Sequence, residues 1–127
     1  MTQRVLVIDD EEGIRDAFEL ALDNLGYTVE TAGSGEEGLR KALARRPDLV
    51  FLDMKMPGMD GVETLRRLQG YYPDLPVYIV TAFYEDYMQP LKDVVDQGLE
   101  FQVAKKPLEH AEIRAVVQAI LDGPRSV

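Results

Sequence analysis

Six residues with side chains suited to metal or phosphoryl chemistry follow or end short apolar runs of the sequence. They are Asp9, Asp10, Asp53, Thr81, Lys105 and Lys106. Carboxylates about 5 Å apart repel one another by roughly 3 kcal/mol per pair, so three in one pocket would need a counter-charge or raised pKa values. An oxygen-only ligand set with room for water suits Mg²⁺, with Mn²⁺ as the alternative. The cation, a lysine ammonium and a threonine hydroxyl could together neutralise a phosphoryl group that a carboxylate attacks.

The elements that must position these residues begin with five short strands. Residues 5–8, 49–52, 77–80 and 101–104 are rich in β-branched or aromatic side chains and carry almost no charge, which predicts strands buried on both faces. Residues 28–32 alternate apolar and polar side chains, which predicts a half-covered edge strand.

Between the strands, apolar residues recur at the spacing of a helix face. Such stripes run from Ile14 to Leu25 and from Ile113 to Leu121, an S-x-x-E capping box at Ser34 begins a second helix, and residues 61–69 and 84–96 supply two weaker helical segments. Strand and helix therefore alternate five times. This alternation predicts a three-layer α/β fold with a doubly wound, five-stranded parallel sheet, for which we expect the flavodoxin-like strand order 2-1-3-4-5.

The predicted strand order brings the first and third strands together. Ligands of open parallel sheets bind beyond the carboxyl ends of the strands, so Asp9, Asp10 and Asp53 should share one pocket there. Each residue has an ordinary structural alternative, since a strand-end Asp often caps a helix, a lone Thr is often structural and a lone Lys is usually solvated. Their joint placement at four of the five strand ends favours a functional site.

Composition narrows the class of protein further. The 127 residues suffice for one domain, with residues 1–122 as its predicted extent and residues 123–127 as a tail or the start of a linker. A net charge of −9 argues against direct binding to nucleic acid or anionic membranes. The absence of cysteine excludes thiolate sites, and no apolar segment is long enough to cross a membrane or resembles a signal peptide. We therefore expect a cytoplasmic protein.

The sequence resembles the receiver domain of two-component response regulators over essentially its whole length. The resemblance lies in the run VLVIDDE at residues 5–11, the run LDMKMPGMDG at residues 52–61, and the pairs Thr81–Ala82 and Lys106–Pro107. The second run and residues 112–114 resemble the sporulation phosphorelay receiver and the receivers of transcriptional activators, and chemotaxis receivers are also similar. Together these motifs are far more specific than any one of them alone.

This resemblance implies roles for the acidic residues and the loop that follows Asp53. Asp53 would accept a phosphoryl group as an acyl phosphate. Asp10 and Asp53 would bind Mg²⁺ directly, together with the backbone carbonyl of Lys55. Asp9 would act mainly through a water molecule on the metal.

The resemblance also implies roles for the hydroxyl and the lysine. Thr81 would hydrogen-bond a phosphoryl oxygen, and Lys106 would form an ion pair with the phosphoryl group. Successive strand side chains point to opposite faces, so only one of Lys105 and Lys106 can reach the pocket. Lys106 is favoured because it precedes Pro107 as in the family, although one extra residue after Gly98 leaves Lys105 as the alternative.

The function implied by the resemblance is a phosphorylation-activated switch that turns over no external substrate. A sensor histidine kinase or histidine phosphotransfer protein would be the donor, and an output domain or partner protein would contact the face of the fourth helix, fifth strand and fifth helix. A flavin or nucleotide binder would instead need a phosphate-binding loop where this chain has Asp-Asp-Glu-Glu. An Asp-based phosphatase would carry a second acid at position 55, and an inert docking receiver would lack Asp53, Thr81 or the acidic pair.

Overall fold

A computed structural model describes residues 2–122 of the chain as alternating strands and helices. The strands are β1 (Arg4–Ile8), β2 (Thr28–Ala32), β3 (Leu49–Leu52), β4 (Val77–Thr81) and β5 (Gln102–Lys105), and the helices are α1 (Glu12–Ala21), α2 (Gly35–Ala44), α3 (Gly61–Tyr71), α4 (Tyr84–Asp96) and α5 (His110–Leu121). The predicted tail at residues 123–127 lies outside the described residues.

All five strands are parallel and lie in the order β2-β1-β3-β4-β5, which confirms the predicted topology. Two apolar cores flank the sheet. Phe18 of α1 and Ile113 of α5 pack with Phe51 on one face, and Leu39 of α2 and Leu65 of α3 belong to the core on the other face. Side chains of successive strand residues alternate between these faces, so the central strands β1, β3 and β4 carry apolar side chains toward both cores.

Two details of the predicted elements were wrong. The fifth strand was predicted to be buried on both faces, but β5 lies at the edge of the sheet and its end residues Gln102 and Lys105 are exposed. The first helix was predicted to extend to Leu25, but α1 ends at Ala21. Asn24 and Gly26 have φ values of 61° and 87°, a left-handed conformation that cannot continue a right-handed helix.

None of the helices within residues 2–122 has the length and apolar character needed to span a membrane.

Candidate functional site

The site is built at the carboxyl ends of β1 and β3. Ile8 and Leu52 are partners in the parallel pairing, and the backbone N–H of Asp53 donates to the carbonyl of Ile8 at 2.9 Å. The residues that follow each strand are therefore neighbours, and Asp9 and Asp53 are only 3% and 4% exposed. Carboxylate oxygens from four residues, Asp9, Asp10, Glu11 and Asp53, lie within 4.8 Å of one another.

Lys106 faces this group of carboxylates. Its Nζ lies 2.8 Å from Asp9 Oδ2, 3.3 Å from Asp53 Oδ2 and 3.3 Å from Glu11 Oε1, and its side chain is 9% exposed. Lys105 is 69% exposed and contacts Glu85 at 3.4 Å on the surface. The backbone at Lys106 continues the pairing with β4, because its N–H donates to the carbonyl of Thr81, and the Lys106–Pro107 peptide bond is cis.

The pKa values of Asp9, Asp53 and Lys106 are all raised, although the causes differ between the carboxylates and the lysine. Burial, with the charge of Asp9 added, raises the pKa of Asp53 to about 6 even though Lys106 opposes the shift. Burial also raises the pKa of Asp9. For Lys106, burial lowers the pKa, but its hydrogen bond to Asp9 and the charges of Asp9 and Asp53 outweigh burial and raise it.

These charges make the pocket suitable for a divalent cation. Four carboxylates form this cluster in the part of the chain that the structure describes, and the ammonium of Lys106 pairs with three of them, so negative charge is in excess. The ligand atoms are all oxygens, and both Asp10 and Glu11 are exposed to solvent, which leaves room for water. Mg²⁺ prefers such a set of few carboxylates with several waters. The donor set therefore fits Mg²⁺.

Thr81 lies on the other side of Asp53 from Asp9, since β4 is the next strand in the sheet after β3. Its side chain is fully buried, and its Oγ1 accepts a hydrogen bond of 3.1 Å from the backbone N–H of Phe83. A hydroxyl that accepts one hydrogen bond still has its own proton to donate. Thr81 is thus held with a donor available at the end of β4.

The loop after β3 folds back on the site. The N–H of Gly61 donates to the carbonyl of Met54 at 2.8 Å, and a Cβ at Gly61 would overlap the carbonyl of Asp53, so only glycine fits there. Asp60 caps α3 by accepting from the N–H of Glu63. Lys55 lies in this loop with its Nζ 4.2 Å from the centre of the Phe83 ring, and the role of its carbonyl as a metal ligand stays a prediction.

Three residues near the site were not singled out as site residues by the sequence analysis. Glu11 contributes a carboxylate to the cluster, Arg15 donates from α1 to the carbonyl of Asp9, and Phe83 contacts Lys55. The position of Glu11, directly after the acidic pair, was a usable signal. The contacts of Arg15 and Phe83 depend on loop geometry and had no comparable signal in the sequence.

Comparison with known proteins supports this reading of the chain. The model of the response regulator receiver domain matches residues 5–118. Sporulation initiation phosphotransferase F of Bacillus subtilis is 38% identical over 122 residues, which cover 95% of both chains. The alkaline phosphatase synthesis transcriptional regulatory protein PhoP of the same species is 37% identical over 124 residues, which cover 95% of this chain and 49% of PhoP. The chain thus spans about half the length of several relatives.

Solved structures give the same result for the fold. The chemotaxis protein CheY4 of Vibrio cholerae superposes with a TM-score of 0.82 at 30% identity, covering 95% of this chain and all of CheY4. A CheY-like receiver domain protein from Methanospirillum hungatei superposes with a TM-score of 0.85 at 26% identity, covering 96% of this chain and 95% of that one.

Proposed function

The chain belongs to the family of response regulator receiver domains, and we propose that Asp53 is the residue that accepts the phosphoryl group. Receiver domains are signalling switches of two-component systems and phosphorelays, not classical enzymes. They generally bind Mg²⁺ at an acidic pocket. The observation that carries the proposal is the position of the Asp53 carboxylate, which lies beside Lys106 and the other acidic residues at the end of β3, next to the strand that ends in Thr81.

The proposed reaction is a transfer between a phosphohistidine of the donor and Asp53. A carboxylate oxygen of Asp53 attacks phosphorus, the P–N bond of the donor breaks, and the imidazole leaves with the electron pair of that bond. With a pKa of about 6, Asp53 is mostly ionised at neutral pH and so is able to attack. The product is an acyl phosphate on Asp53.

The acidic residues would hold the cation during this transfer. Asp10, Asp53 and the backbone carbonyl of Lys55 are the proposed direct ligands, with Asp9 acting through water. When bound, Mg²⁺ supplies positive charge to the phosphoryl oxygens and relieves the repulsion between the carboxylates. Lys106 supplies a second positive charge, and Thr81 supplies a hydrogen-bond donor.

We propose that Lys106 and Thr81 also transmit the effect of phosphorylation from Asp53 to the rest of the domain. Lys106 is paired with Asp9 and Asp53, and a phosphoryl group on Asp53 offers it new oxygen partners. The hydroxyl of Thr81 accepts from the N–H of Phe83, immediately before α4, so a turn of this hydroxyl toward the phosphoryl group alters a contact at the start of α4. We further propose that the domain promotes only its own phosphorylation and dephosphorylation, with no external substrate.

The proposed partners fall into two classes. A sensor histidine kinase or a histidine phosphotransfer protein would donate the phosphoryl group. An output domain or partner protein would bind the face formed by α4, β5 and α5. Met88 and Val95 on α4 are each 53% exposed, and β5 is an edge strand, so this face has apolar and backbone groups available for contact.

Phosphoryl acceptance is tested by intact mass spectrometry after incubation with Mg²⁺ and a small acyl phosphate. We expect one added phosphoryl group that is labile to hydroxylamine and is absent from Asp53→Asn. An adduct on Asp48 or Asp60 instead would overturn the assignment of Asp53. Both alternative residues carry carboxylates close in sequence, so peptide mapping of the adduct is part of the test.

The proposed transmission from Asp53 to α4 and β5 is tested with variants of the neighbouring residues Lys105 and Lys106. Lys106→Ala should still accept phosphate, because the cation carries most of the charge neutralisation, but should lose the response of α4 and β5. Lys105→Ala should behave like the wild type, since its side chain is exposed. The measurement is the set of amide NMR shifts on adding beryllofluoride, an acyl-phosphate mimic. A normal response in Lys106→Ala with a lost response in Lys105→Ala would reverse the two roles.

A further inference from the structure

Arg15 connects α1 to the loop that carries the acidic pair. Its Nη1 donates to the carbonyl oxygen of Asp9 at 2.8 Å, and the side chain is half-buried. The guanidinium also lies against Gly33 in the β2–α2 loop, where a Cβ would come within 3.4 Å of Nη1. Arg15 therefore fills the space between two loops at the carboxyl edge of the sheet.

Every polar group of Asp9 has a partner. Its N–H donates to the carbonyl of Ala32 at 3.0 Å, its Oδ1 accepts from the N–H of Glu11 at 2.9 Å, and its Oδ2 pairs with Lys106. The carbonyl of Asp9 is the group that Arg15 satisfies. The backbone of Asp9 is thus held on both sides.

The Asp9 carbonyl belongs to the peptide unit that ends at the nitrogen of Asp10. Because a peptide unit is planar, a hydrogen bond to its oxygen fixes the direction of its N–Cα bond as well. Asp10 is exposed, and its side chain makes no hydrogen bond or ion pair with the residues from 2 to 122, although its carboxylate lies in the acidic cluster. The orientation of Asp10 therefore depends on its backbone, and Arg15 holds the peptide unit that precedes it.

We propose that Arg15 is a positioning residue that orients Asp10 toward the cation through the Asp9–Asp10 peptide unit. The inference rests on the proposed function, in which Asp10 is a direct ligand of Mg²⁺. Arg15 has two effects of opposite sign. Its positive charge repels a nearby cation, whereas its hydrogen bond organises a ligand for that cation, so the sign of a mutational effect tells them apart.

The test is a Mg²⁺ titration of the full 127-residue chain, followed by amide NMR shifts of the β1–α1 and β3–α3 loops. Arg15→Met, which removes both the charge and the donor, should weaken Mg²⁺ binding about tenfold, as outer partners of metal ligands typically do. Arg114→Met is the control, because it removes the same charge from an exposed position of α5 and should leave Mg²⁺ affinity unchanged.

A second variant covers the case in which Arg15→Met does not fold, which the same spectra would show. Arg15→Lys keeps the charge, but its shorter side chain makes a poorer hydrogen bond, and we expect binding about threefold weaker than in the wild type. Unchanged affinity in the folded variants would overturn the inference. Tighter binding in Arg15→Met would also overturn it, because the charge would then be the dominant effect.

The rate of phosphorylation at saturating Mg²⁺ separates positioning from direct contact with the phosphoryl group. Arg15→Met should recover the wild-type rate there, and a loss that persists at saturation would overturn the positioning role. Failure of the proposed function looks different. If the wild type itself shows no Mg²⁺-dependent shifts, the proposed metal site is wrong. If the wild type and Arg15→Met bind Mg²⁺ with equal affinity, the metal site stands and only the positioning role of Arg15 is rejected.

Discussion

The two ends of the sheet bury polar side chains in opposite ways. At the amino end, the amide of Gln69 donates to the carbonyls of Leu75 and Glu100 and accepts from the N–H of Glu100. At the carboxyl end, Asp9 and Asp53 are equally buried, but they share the ammonium of Lys106. The first arrangement is neutral and complete, and the second retains excess negative charge.

This difference distinguishes a hydrogen-bonded polar residue that only stabilises the fold from a site that needs a ligand. A satisfied neutral amide stabilises the fold outright, whereas crowded carboxylates destabilise it until a cation or a modification removes charge. Cavity size does not mark the distinction, because a groove of about 540 Å³ lies at the amino end, where its lining includes Gln69 and Phe101. Charge imbalance among buried groups is what distinguishes the end of the sheet at which we propose the functional site.

The largest change in stability should come from the amino end. Gln69→Leu keeps the size of the side chain but removes the partner of the buried Leu75 carbonyl and of two part-buried backbone groups of Glu100, which should lower the free energy of unfolding by about 2–4 kcal/mol. Urea denaturation measures this change. Phosphorylation of Asp53 should persist in the folded variant. A decrease of less than about 1 kcal/mol in the free energy of unfolding would show that the hydrogen bonds of Gln69 do not stabilise the fold as we infer.

Asp53→Asn should have the opposite effect on stability. The pKa of Asp53 is raised from 3.8 to about 6, so its contribution favours folding below pH 4 and is lost as the pH rises through 6. Without metal, the variant should therefore be more stable than the wild type by roughly 1–3 kcal/mol at pH 7, with little gain at pH 4.

The control for this variant is Asp74→Asn, which removes the same charge at an exposed position near the amino end. It should change stability much less at either pH. Denaturation of the three proteins at both pH values measures the comparison. Equal gains in the two variants would mean that net charge, not repulsion within the pocket, destabilises the wild type.

Magnesium should stabilise the wild type by an amount near the lower end of the gain expected for Asp53→Asn. Binding to the folded state alone stabilises the protein by about 1.4 kcal/mol when the free cation is at ten times its dissociation constant. A thermal melt of the wild type should thus shift upward at Mg²⁺ concentrations on the order of millimolar, as is typical of sites with few protein ligands. Gln69→Leu should show the same shift from its lower starting point. A melting temperature of the wild type that does not change on adding Mg²⁺ would contradict the proposal that the acidic cluster binds this cation.

The sequence predicted the fold and the membership of the acidic cluster better than the contacts around it. Alternation of strands and helices predicts a parallel sheet, and the flavodoxin-like strand order within it brings the residues after β1 and β3 together. The end of α1, the exposure of β5 and the contacts of Arg15 and Phe83 were not predicted. They depend on loop conformations and on edge position, which side-chain spacing along the chain does not encode.

The smallest effect should come from the contact between Lys55 and Phe83, which joins the loop after β3 to the loop after β4. We expect Lys55→Ala to shorten the lifetime of the acyl phosphate, because a long side chain two residues past Asp53 would hinder the approach of water to the phosphoryl group. A cation–π contact at an exposed position contributes about 0.5–1 kcal/mol, so the lifetime should fall by a factor of about 2–5.

Phe83→Leu offers a matched variant, since it removes the ring face and keeps apolar bulk. Decay of the adduct should accelerate by a similar factor in each single variant and no further in the double variant, because both remove one contact. Lys105→Ala, which changes an exposed lysine elsewhere on this edge, should leave the lifetime unchanged. Additive effects in the double variant would mean that Lys55 and Phe83 act separately, and an unchanged lifetime in Lys55→Ala would remove that side chain from the hydrolysis step.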